Sequence, residues 1–364
     1  MRAPAVLEQR AAEPTEIGGI TVPAHFGDPL REYEAARQGA GLTHRAGRGL
    51  VRIGGEDRSK FLQGLLSNNV EALAPGEGCQ ALLLDTKGHV RGALDLWAES
   101  DAIIIGCDAG FIEEALPDLT KYILAADVQI DDLGPEQTVL ALMGAAADDV
   151  LAAAGGGQAP AAAARAHRRA ELAGVDVRLA RTPGLGTTGF EIHVPDAAVD
   201  EVWAALESAG GETAAGKTGG RESAPTYIGW NVAEALRVEA GVARLGQEIT
   251  GGEFPQEVDL DGAVDYEKGC YLGQETVARI HYRGQVNRLL SGVRAETALP
   301  QGAELLSSGR KVGRITSVAV SPRLGPIALA LVRREESEGG AAVEVCSDGA
   351  VVAEARVVAL PIAD

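Results

Sequence analysis

Strand-length and helix-length apolar patterns are mixed along most of this 364-residue sequence, whereas its last part carries strand patterns only. Helical patterns cover residues 28–37 and 110–122, and apolar runs of strand length at residues 79–84 and 90–97 lie between them. Because strands and helices do not alternate strictly, the pattern favours an α+β fold over a doubly wound parallel sheet. After residue 288, short β-rich runs separated by Gly, Pro and Ser-Asp turns predict a small C-terminal β-barrel.

Length and charge limit the class of protein further. A chain of 364 residues accommodates two or three domains, and we predict a region of two interleaved α+β subdomains over residues 1–285 and a barrel domain over residues 286–364. The formal net charge of −19 disfavours stable nucleic-acid binding. No apolar run approaches the roughly 18 residues that cross a bilayer, and the first residues lack the apolar core of a signal peptide. We therefore expect a cytoplasmic protein without membrane contact.

The four cysteines, Cys79, Cys107, Cys270 and Cys346, lie far apart and form no CxxC pair. This spacing argues against a zinc site or an iron–sulfur cluster held by local ligands, so no metal site is predicted. Residues 210–223 are polar and rich in glycine, which predicts a surface connection.

One short stretch combines a thiol, two glycines and several polar side chains: Lys268-Gly269-Cys270-Tyr271-Leu272-Gly273-Gln274-Glu275, followed by Thr276-Val277-Ala278-Arg279. The two glycines suggest a tight backbone approach on either side of Cys270. A helix over residues 274–280 would put Cys270 at or just before a helix N-terminus, which together with Lys268 favours a thiolate. A cysteine in such a turn is more often a small packing residue, and the residues alone leave this alternative open.

The stretch resembles the signature of the YgfZ family, Lys-Gly-Cys-aromatic-aliphatic-Gly-Gln-Glu, at all eight positions. The members are folate-binding proteins similar to the aminomethyltransferase (T-protein) of glycine cleavage. The resemblance implies an aminomethyltransferase-like folate-binding fold with a small C-terminal β-barrel, and tetrahydrofolate or a related reduced folate as the bound ligand. It also implies that Cys270 is the working thiol, as a nucleophile, a redox relay or a transient ligand to iron or a persulfide. Gln274, Glu275 and Arg279 would shape its surroundings.

Glu191 is the first candidate for the folate site. It lies in a strand pattern after the turn at residues 186–189, and it alternates onto the opposite face from Phe190 and Ile192. On the residues alone, a solvent-facing strand residue is the favoured alternative. The stretch is similar, however, to the aminomethyltransferase segment whose glutamate holds the pterin ring, since a carboxylate can accept two hydrogen bonds from a ring N–H and an amino group. The family's tyrosine seven positions earlier is Gly184 here.

Two further residues are candidates for folate binding. Arg237 belongs to Leu236-Arg237-Val238-Glu239-Ala240-Gly241, which looks like the family's Leu-Arg-x-Glu-Ala-Gly stretch and implies that Arg237 faces the folate. The alternative is a surface ion pair of at most about 1 kcal/mol. Asn69, beside Asn68, follows a helical pattern and either serves the helix end or lines a ligand cavity.

The family's catalytic aspartate is replaced in this sequence. The aminomethyltransferase carries it just after a Gly-Gly-Val-Ile turn, next to the reacting nitrogen of the folate, where a carboxylate can manage the proton and stabilise positive charge. The matching position here is Gly92. Asp95 is three residues further along the strand, hence on the opposite face and about 10 Å away, and His89 is a turn histidine. The replacement therefore disfavours glycine-cleavage activity.

These observations lead to one functional expectation and one alternative. We expect a tetrahydrofolate-binding YgfZ-like protein, not a classical enzyme, that supports assembly or repair of iron–sulfur clusters in client enzymes, tRNA-modifying enzymes among them. Its partners would be folate and the iron–sulfur client or assembly proteins. The alternative is a tetrahydrofolate-dependent one-carbon (aminomethyl) transferase.

Overall fold

The computed structural model describes residues 3–17, 19–123, 125–184, 186–213, 224–337 and 339–363. The helices are α1 (Ala5–Arg10), α2 (Pro29–Gln38), α3 (Arg58–Leu65), α4 (Ala109–Lys121), α5 (Ala147–Leu151), α6 (Val199–Thr213), α7 (Trp230–Ala240) and α8 (Gln274–Arg283). The strands of the first part are β1 (Glu13–Ile17), β2 (Ile20–His25), β3 (Gly41–His44), β4 (Arg48–Gly54), β5 (Gly78–Leu84), β6 (Val90–Ala98), β7 (Ile103–Asp108), β8 (Gln129–Asp132), β9 (Gln137–Met143), β10 (His167–Leu172), β11 (Val175–Arg181), β12 (Gly189–Pro195) and β13 (Thr226–Tyr227). The later strands are β14 (Arg288–Ala295), β15 (Glu304–Ser307), β16 (Arg310–Ser321), β17 (Gly325–Arg333), β18 (Ala342–Ser347) and β19 (Ala350–Val358).

The chain forms two units that interleave in sequence. The first unit contains Met1–Phe61, Glu71–Gln80 and Leu94–Ala233, and the second unit contains Leu62–Val70, Ala81–Ala93 and Glu234–Asp364. These bounds differ from a division at residue 285, and the predicted domain division stays a prediction.

Two sheets supply most of the strands of the first unit. One has the order β10-β11-β12-β9-β3-β13, and the other has the order β5-β6-β7-β4-β8. On one face of the six-stranded sheet, Phe190 and Ile192 join a buried cluster with Trp203 of α6. On the other face, Val139 of β9 packs in a cluster with Trp97 of β6. Strand β12 is therefore buried on both faces, by a helix on one side and by a second sheet on the other.

The second unit ends in a closed barrel. Its strand order is β14-β17-β16-β15-β18-β19, and β14 closes the ring by pairing antiparallel with β19. Alternate residues of the strands, such as Val293, Leu305 and Val345, point inward and form a buried core. This confirms the mixed α and β content and the C-terminal barrel that the sequence pattern predicts.

Most predicted elements are present, and their local signals explain them. Helix α2 begins where expected, because the side chain of Asp28 accepts a hydrogen bond of 3.1 Å from the Arg31 N–H and Pro29 takes the first helical position. Leu30, an apolar residue of this helix, is 52% exposed. Glu32 is buried in its place, where its carboxylate accepts backbone N–H bonds from Phe26 and Gly229. The predicted surface connection at residues 210–223 falls largely on residues 214–223, which lie outside the described residues.

Candidate functional site

Glu191 lies at the centre of a buried polar cluster in the first unit. Its side chain is 0% exposed, so the solvent-facing alternative is wrong. The alternation along β12 is as predicted, with Phe190 and Ile192 in the opposite cluster. The face of β12 that carries Glu191 is covered by the second sheet, where the Trp97 ring lies 4.9 Å from the ring of His193.

Two arginines and a histidine surround the Glu191 carboxylate. Arg48 Nε lies 3.2 Å from Oε1, Arg45 Nη2 lies 3.4 Å from Oε1, and His193 Nε2 lies 3.5 Å from Oε2. Burial raises the pKa of Glu191, but the charges of Arg48 and Arg45 outweigh burial and hold this pKa well below its ordinary value. Burial also lowers the pKa of His193 to about 4, so this histidine is neutral at pH 7.

One oxygen of this carboxylate has no hydrogen bond. Oε1 of Glu191 is buried and receives no hydrogen bond from the described residues, although both arginines lie within ion-pair distance of it. Buried carboxylate oxygens are normally hydrogen-bonded, and an exception calls for an explanation. A ligand N–H that donates to Oε1 would remove the exception.

Asp95 is part of the same cluster and is committed to arginines. Its two oxygens accept hydrogen bonds from Arg48 Nη2 and from Arg165 Nε. Asp95 is therefore engaged as an anchor of two arginines. The side chain of His89 is occupied as well, with Nδ1 3.0 Å from Asp85 Oδ2 and its ring against Phe254.

Arg237 has no N–H left for a ligand. Its Nε and Nη2 donate to the two oxygens of Glu234, at 3.0 and 2.8 Å. Its remaining three N–H groups donate to Val242 O, to Glu248 Oε2 at 3.1 Å and to Ser317 Oγ at 2.6 Å. A guanidinium has five N–H donors, so all of them are used within the second unit. A direct contact with folate would break one of these bonds, so these contacts favour a role in the architecture of this unit, and a ligand contact of Arg237 stays a prediction.

Asn69 and Asn68 shape the turn that follows α3. The Asn68 side chain accepts the Asn69 N–H at 2.8 Å, and the Asn69 side chain accepts a bond from Gln63 Nε2 at 3.2 Å. These contacts favour the helix-end alternative, and a ligand contact of Asn69 stays a prediction.

Lys268 stabilises this same turn. Its Nζ donates to the backbone oxygens of Gln63, Leu66 and Asn68 at 2.7 to 2.8 Å. An ammonium group has three donors, and its side chain is buried in the process. The sequence predicts that the charge of Lys268 favours the thiolate of Cys270. In the structure, the three N–H groups of its ammonium donate to backbone carbonyl groups instead.

The cysteine motif forms an exposed turn before α8. Cys270 is exposed, whereas Cys107 is buried and burial raises the pKa of its thiol to about 12. Gly273 precedes α8 with φ of 79°, and a Cβ there would lie 2.5 Å from Asp85 O, so a glycine is required. Arg279 and Glu275 pair at 2.6 Å with 66% and 87% of their side chains exposed, which is a solvated contact. The exposure of Cys270 argues against the alternative of a packing residue, while its function as a thiol stays a prediction.

We expect the Lys268→Ala variant to lower the free energy of unfolding by about 3 kcal/mol or more, because three carbonyl groups lose their donor in a buried place. Chemical denaturation of both proteins measures the difference. Lys87→Ala is the matched control, since Lys87 is exposed in the same unit, and it should change stability by less than about 0.5 kcal/mol. A loss as small as that of the control would contradict the structural role of Lys268.

Among the described residues, no group of His, Cys, Asp and Glu is arranged to hold a metal ion. No helix in the described part of the chain is long and apolar enough to span a membrane.

Sequence reasoning identifies Glu191 but misses the residues around it. Polar side chains in or beside strand patterns are ordinarily expected to face solvent. The roles of four such residues beside Glu191 were therefore not predicted: Arg45, Arg48, Asp95 and His193. The available signal was the polar pair Glu191 and His193 at alternate positions of one apolar strand, since both then face the same way.

Comparison with known proteins gives two family matches that together span most of the chain. The family described as GCVT N-terminal domain matches residues 4–268, and the one described as Glycine cleavage T-protein C-terminal barrel domain matches residues 288–364. The solved glycine cleavage system aminomethyltransferase T from Bartonella henselae has a TM-score of 0.83 at 23% identity, over 98% of this chain and 95% of that chain. This likeness shows an aminomethyltransferase-like fold.

Curated relatives are similar over nearly their whole length. The Aminomethyltransferase of Cutibacterium acnes is 29% identical over 94% of this chain and 92% of the relative. That of Saccharopolyspora erythraea is 28% identical over 98% of this chain and 95% of the relative. These names overturn the expected function in iron–sulfur cluster assembly with its client proteins, and they agree with the alternative of an aminomethyl transferase.

Proposed function

The chain belongs to the family of the glycine cleavage T-protein, and on this premise we propose that it is a tetrahydrofolate-dependent one-carbon (aminomethyl) transferase. The observation that carries the proposal is the buried Glu191 carboxylate, ionised and with Oε1 free of hydrogen bonds among the described residues. Membership of the narrower YgfZ group rests on residues 268–275 alone and stays a prediction.

The hydrogen-bond acceptors of the Glu191 carboxylate fit the pterin ring of a reduced folate. A pterin presents a ring N–H and a neighbouring amino group, and an ionised carboxylate can accept one hydrogen bond from each. Glu191 would hold this edge, while Arg45 and Arg48 keep the carboxylate charged. Because Glu191 is fully buried, binding requires a local movement of the side chains that cover it.

The chemistry divides between the ligand and the protein. A reduced folate held at Glu191 would provide the nitrogen to which the methylene group is transferred. The protein's part is to bind and orient the pterin through Glu191. Gly92 offers no side chain at the position of the family's acid, so the protein does not move a proton there with a carboxylate. The transfer is therefore expected to be slower than in a relative that carries the aspartate.

The location and partners belong to the same proposal. We place the protein in the cytoplasm, with a reduced folate as its small-molecule partner. All four cysteines are free thiols, as suits a reducing compartment.

Calorimetric titration with 5-formyltetrahydrofolate, a stable reduced folate, tests the binding. We expect Glu191→Ala to weaken affinity by about 30- to 150-fold, because two charge-assisted hydrogen bonds worth about 2–3 kcal/mol are lost. Glu171→Ala is the matched control, since Glu171 is exposed on β10 of the same unit, and its affinity should equal that of the wild type. Equal affinity of the Glu191 variant would refute the assigned site, and absence of binding by the wild type would refute the function.

A further inference from the structure

Arg48 joins two carboxylates in the interior of the first unit. Its Nη2 donates to Asp95 Oδ2, and its Nε lies 3.2 Å from Glu191 Oε1. The side chain is 11% exposed, and its guanidinium carbon lies 5.9 Å from the centre of a Trp97 ring. A rigid planar guanidinium suits this bridge, because its N–H groups diverge in fixed directions.

A carboxylate as deeply buried as that of Glu191 stays ionised only if a nearby positive charge offsets the cost of its removal from water. Burial away from water favours the neutral acid, and a neutral acid has an O–H of its own and a weaker capacity to accept hydrogen bonds. It would match the two donors of a pterin edge poorly. The affinity of the site therefore depends on whatever keeps Glu191 ionised.

We propose that Arg48 is the positioning residue that keeps Glu191 ionised and oriented for its ligand. This inference rests on the proposed function, because the ligand is the reduced folate proposed above. Arg48 does not itself touch the ligand in this assignment and acts through Glu191.

The other groups near Glu191 are less suited to this role. Arg45 lies 3.4 Å away with 26% of its side chain exposed, so water weakens its attraction to Glu191 more than that of Arg48. His193 is neutral at pH 7, since burial lowers its pKa to about 4. Cys107, close to Arg48, is a neutral thiol because burial raises its pKa to about 12. Arg48 is the more deeply buried of the two arginines, and Asp95 anchors it on the side away from Glu191.

The anchor of Arg48 is Asp95. Asp95 accepts a hydrogen bond from Arg48 through one oxygen and from Arg165 through the other. Negative and positive side chains therefore alternate in a row that begins at Glu191 and ends at Arg165. Arg178 lies on the far side of His193, with Nη1 3.2 Å from His193 Nδ1, and pairs with Glu99. Because Asp95 shares its charge between Arg48 and Arg165, it holds Arg48 in place and leaves Arg48 able to attract Glu191.

The test is the pH dependence of 5-formyltetrahydrofolate binding to Arg48→Met between pH 6 and pH 9, measured by calorimetry. We expect a constant dissociation constant for the wild type, because Glu191 is ionised throughout. In the variant the pKa of Glu191 rises, and binding then requires loss of one proton. Affinity should fall at pH 6 and recover by up to about tenfold per pH unit as the pH rises.

Three variants complete the experiment. Arg48→Lys retains the charge and should give a flat pH profile. Arg52→Met removes an arginine of the same strand, β4, whose partners Asp101 and Asp131 are exposed, and it should behave as the wild type. If Arg48→Met does not fold, Arg48→Met/Asp95→Asn removes both buried charges together and should show the same pH dependence.

Two outcomes would overturn the inference. Weaker binding of Arg48→Met by the same factor at every pH would make Arg48 a structural residue only, and unchanged binding would remove it from the site. Failure of the wild type to bind is distinguishable from both, because it refutes the proposed function before any variant is compared.

Discussion

Gly92→Asp should raise the rate of tetrahydrofolate-dependent ammonia release from an aminomethyl carrier by about 10²- to 10⁴-fold, the usual contribution of one positioned acid or base. Gly92 lies in β6 and is buried, and the resemblance described above predicts that it takes the position of the family's catalytic aspartate. A carboxylate there would manage the proton and stabilise positive charge during transfer. Steady-state assays of both proteins at pH 7 measure the effect.

Two substitutions at the same position separate the effect of the carboxylate's charge and proton from the effect of side-chain shape. Gly92→Asn has nearly the shape of the aspartate but neither accepts the proton nor carries the charge, and Gly92→Ala adds only a methyl group. We expect both to stay within about tenfold of the wild type. An equal gain for Asp and Asn would show that proton management at residue 92 is not what limits the rate. Loss of activity in all three would show that the strand does not tolerate a side chain there.

The second large effect should come from Arg237→Met, which we expect to lower the free energy of unfolding by about 3–5 kcal/mol. The substitution leaves Glu248 without its cation in a buried place, whereas Glu234 keeps its second partner, Arg244. Glu248 is 0% exposed and also accepts bonds from Thr316 and Ser317 of β16. Arg237 therefore ties α7 to the barrel within the second unit. Equilibrium denaturation with urea measures the change.

Two controls separate this role from a ligand role. Arg279→Met removes an arginine whose partner Glu275 is 87% exposed, and it should cost less than about 0.5 kcal/mol. Arg237→Met/Glu248→Gln removes both charges of one pair and should recover part of the loss. Unchanged stability of Arg237→Met together with weaker folate binding would restore the predicted contact with the ligand.

The candidate site was predictable from the sequence only in part. The resemblance selects Glu191 and Arg237 together, as two residues that face one ligand. The structure gives them different surroundings: one oxygen of Glu191 receives no hydrogen bond from the part of the chain that the structure describes, whereas Arg237 has used its five donors. A motif shows which residue types occur at which spacing. It does not show how many N–H groups of Arg237 remain for a ligand, because that number depends on partners distant in sequence, such as Ser317.

Lys268 illustrates the same difference. Its position two residues before Cys270 suggests an electrostatic effect on the thiol, because neighbours in sequence are the natural candidates for interaction. Its acceptors in the structure are carbonyl groups about 200 residues earlier in the chain. A flexible four-carbon side chain reaches whichever acceptors the fold brings near, and only the fold specifies them.

The sequence by itself determined the elements and their class. Asp28 and Pro29 start a helix, alternation places Phe190 and Ile192 on one face of a strand, and short runs between turns specify the barrel, because these signals act over a few residues. Only the tertiary structure decided that the opposite face of β12 is covered by a second sheet. That burial turns Glu191 from an ordinary strand carboxylate into one that depends on Arg48, because a charge removed from water is stable only beside an opposite charge.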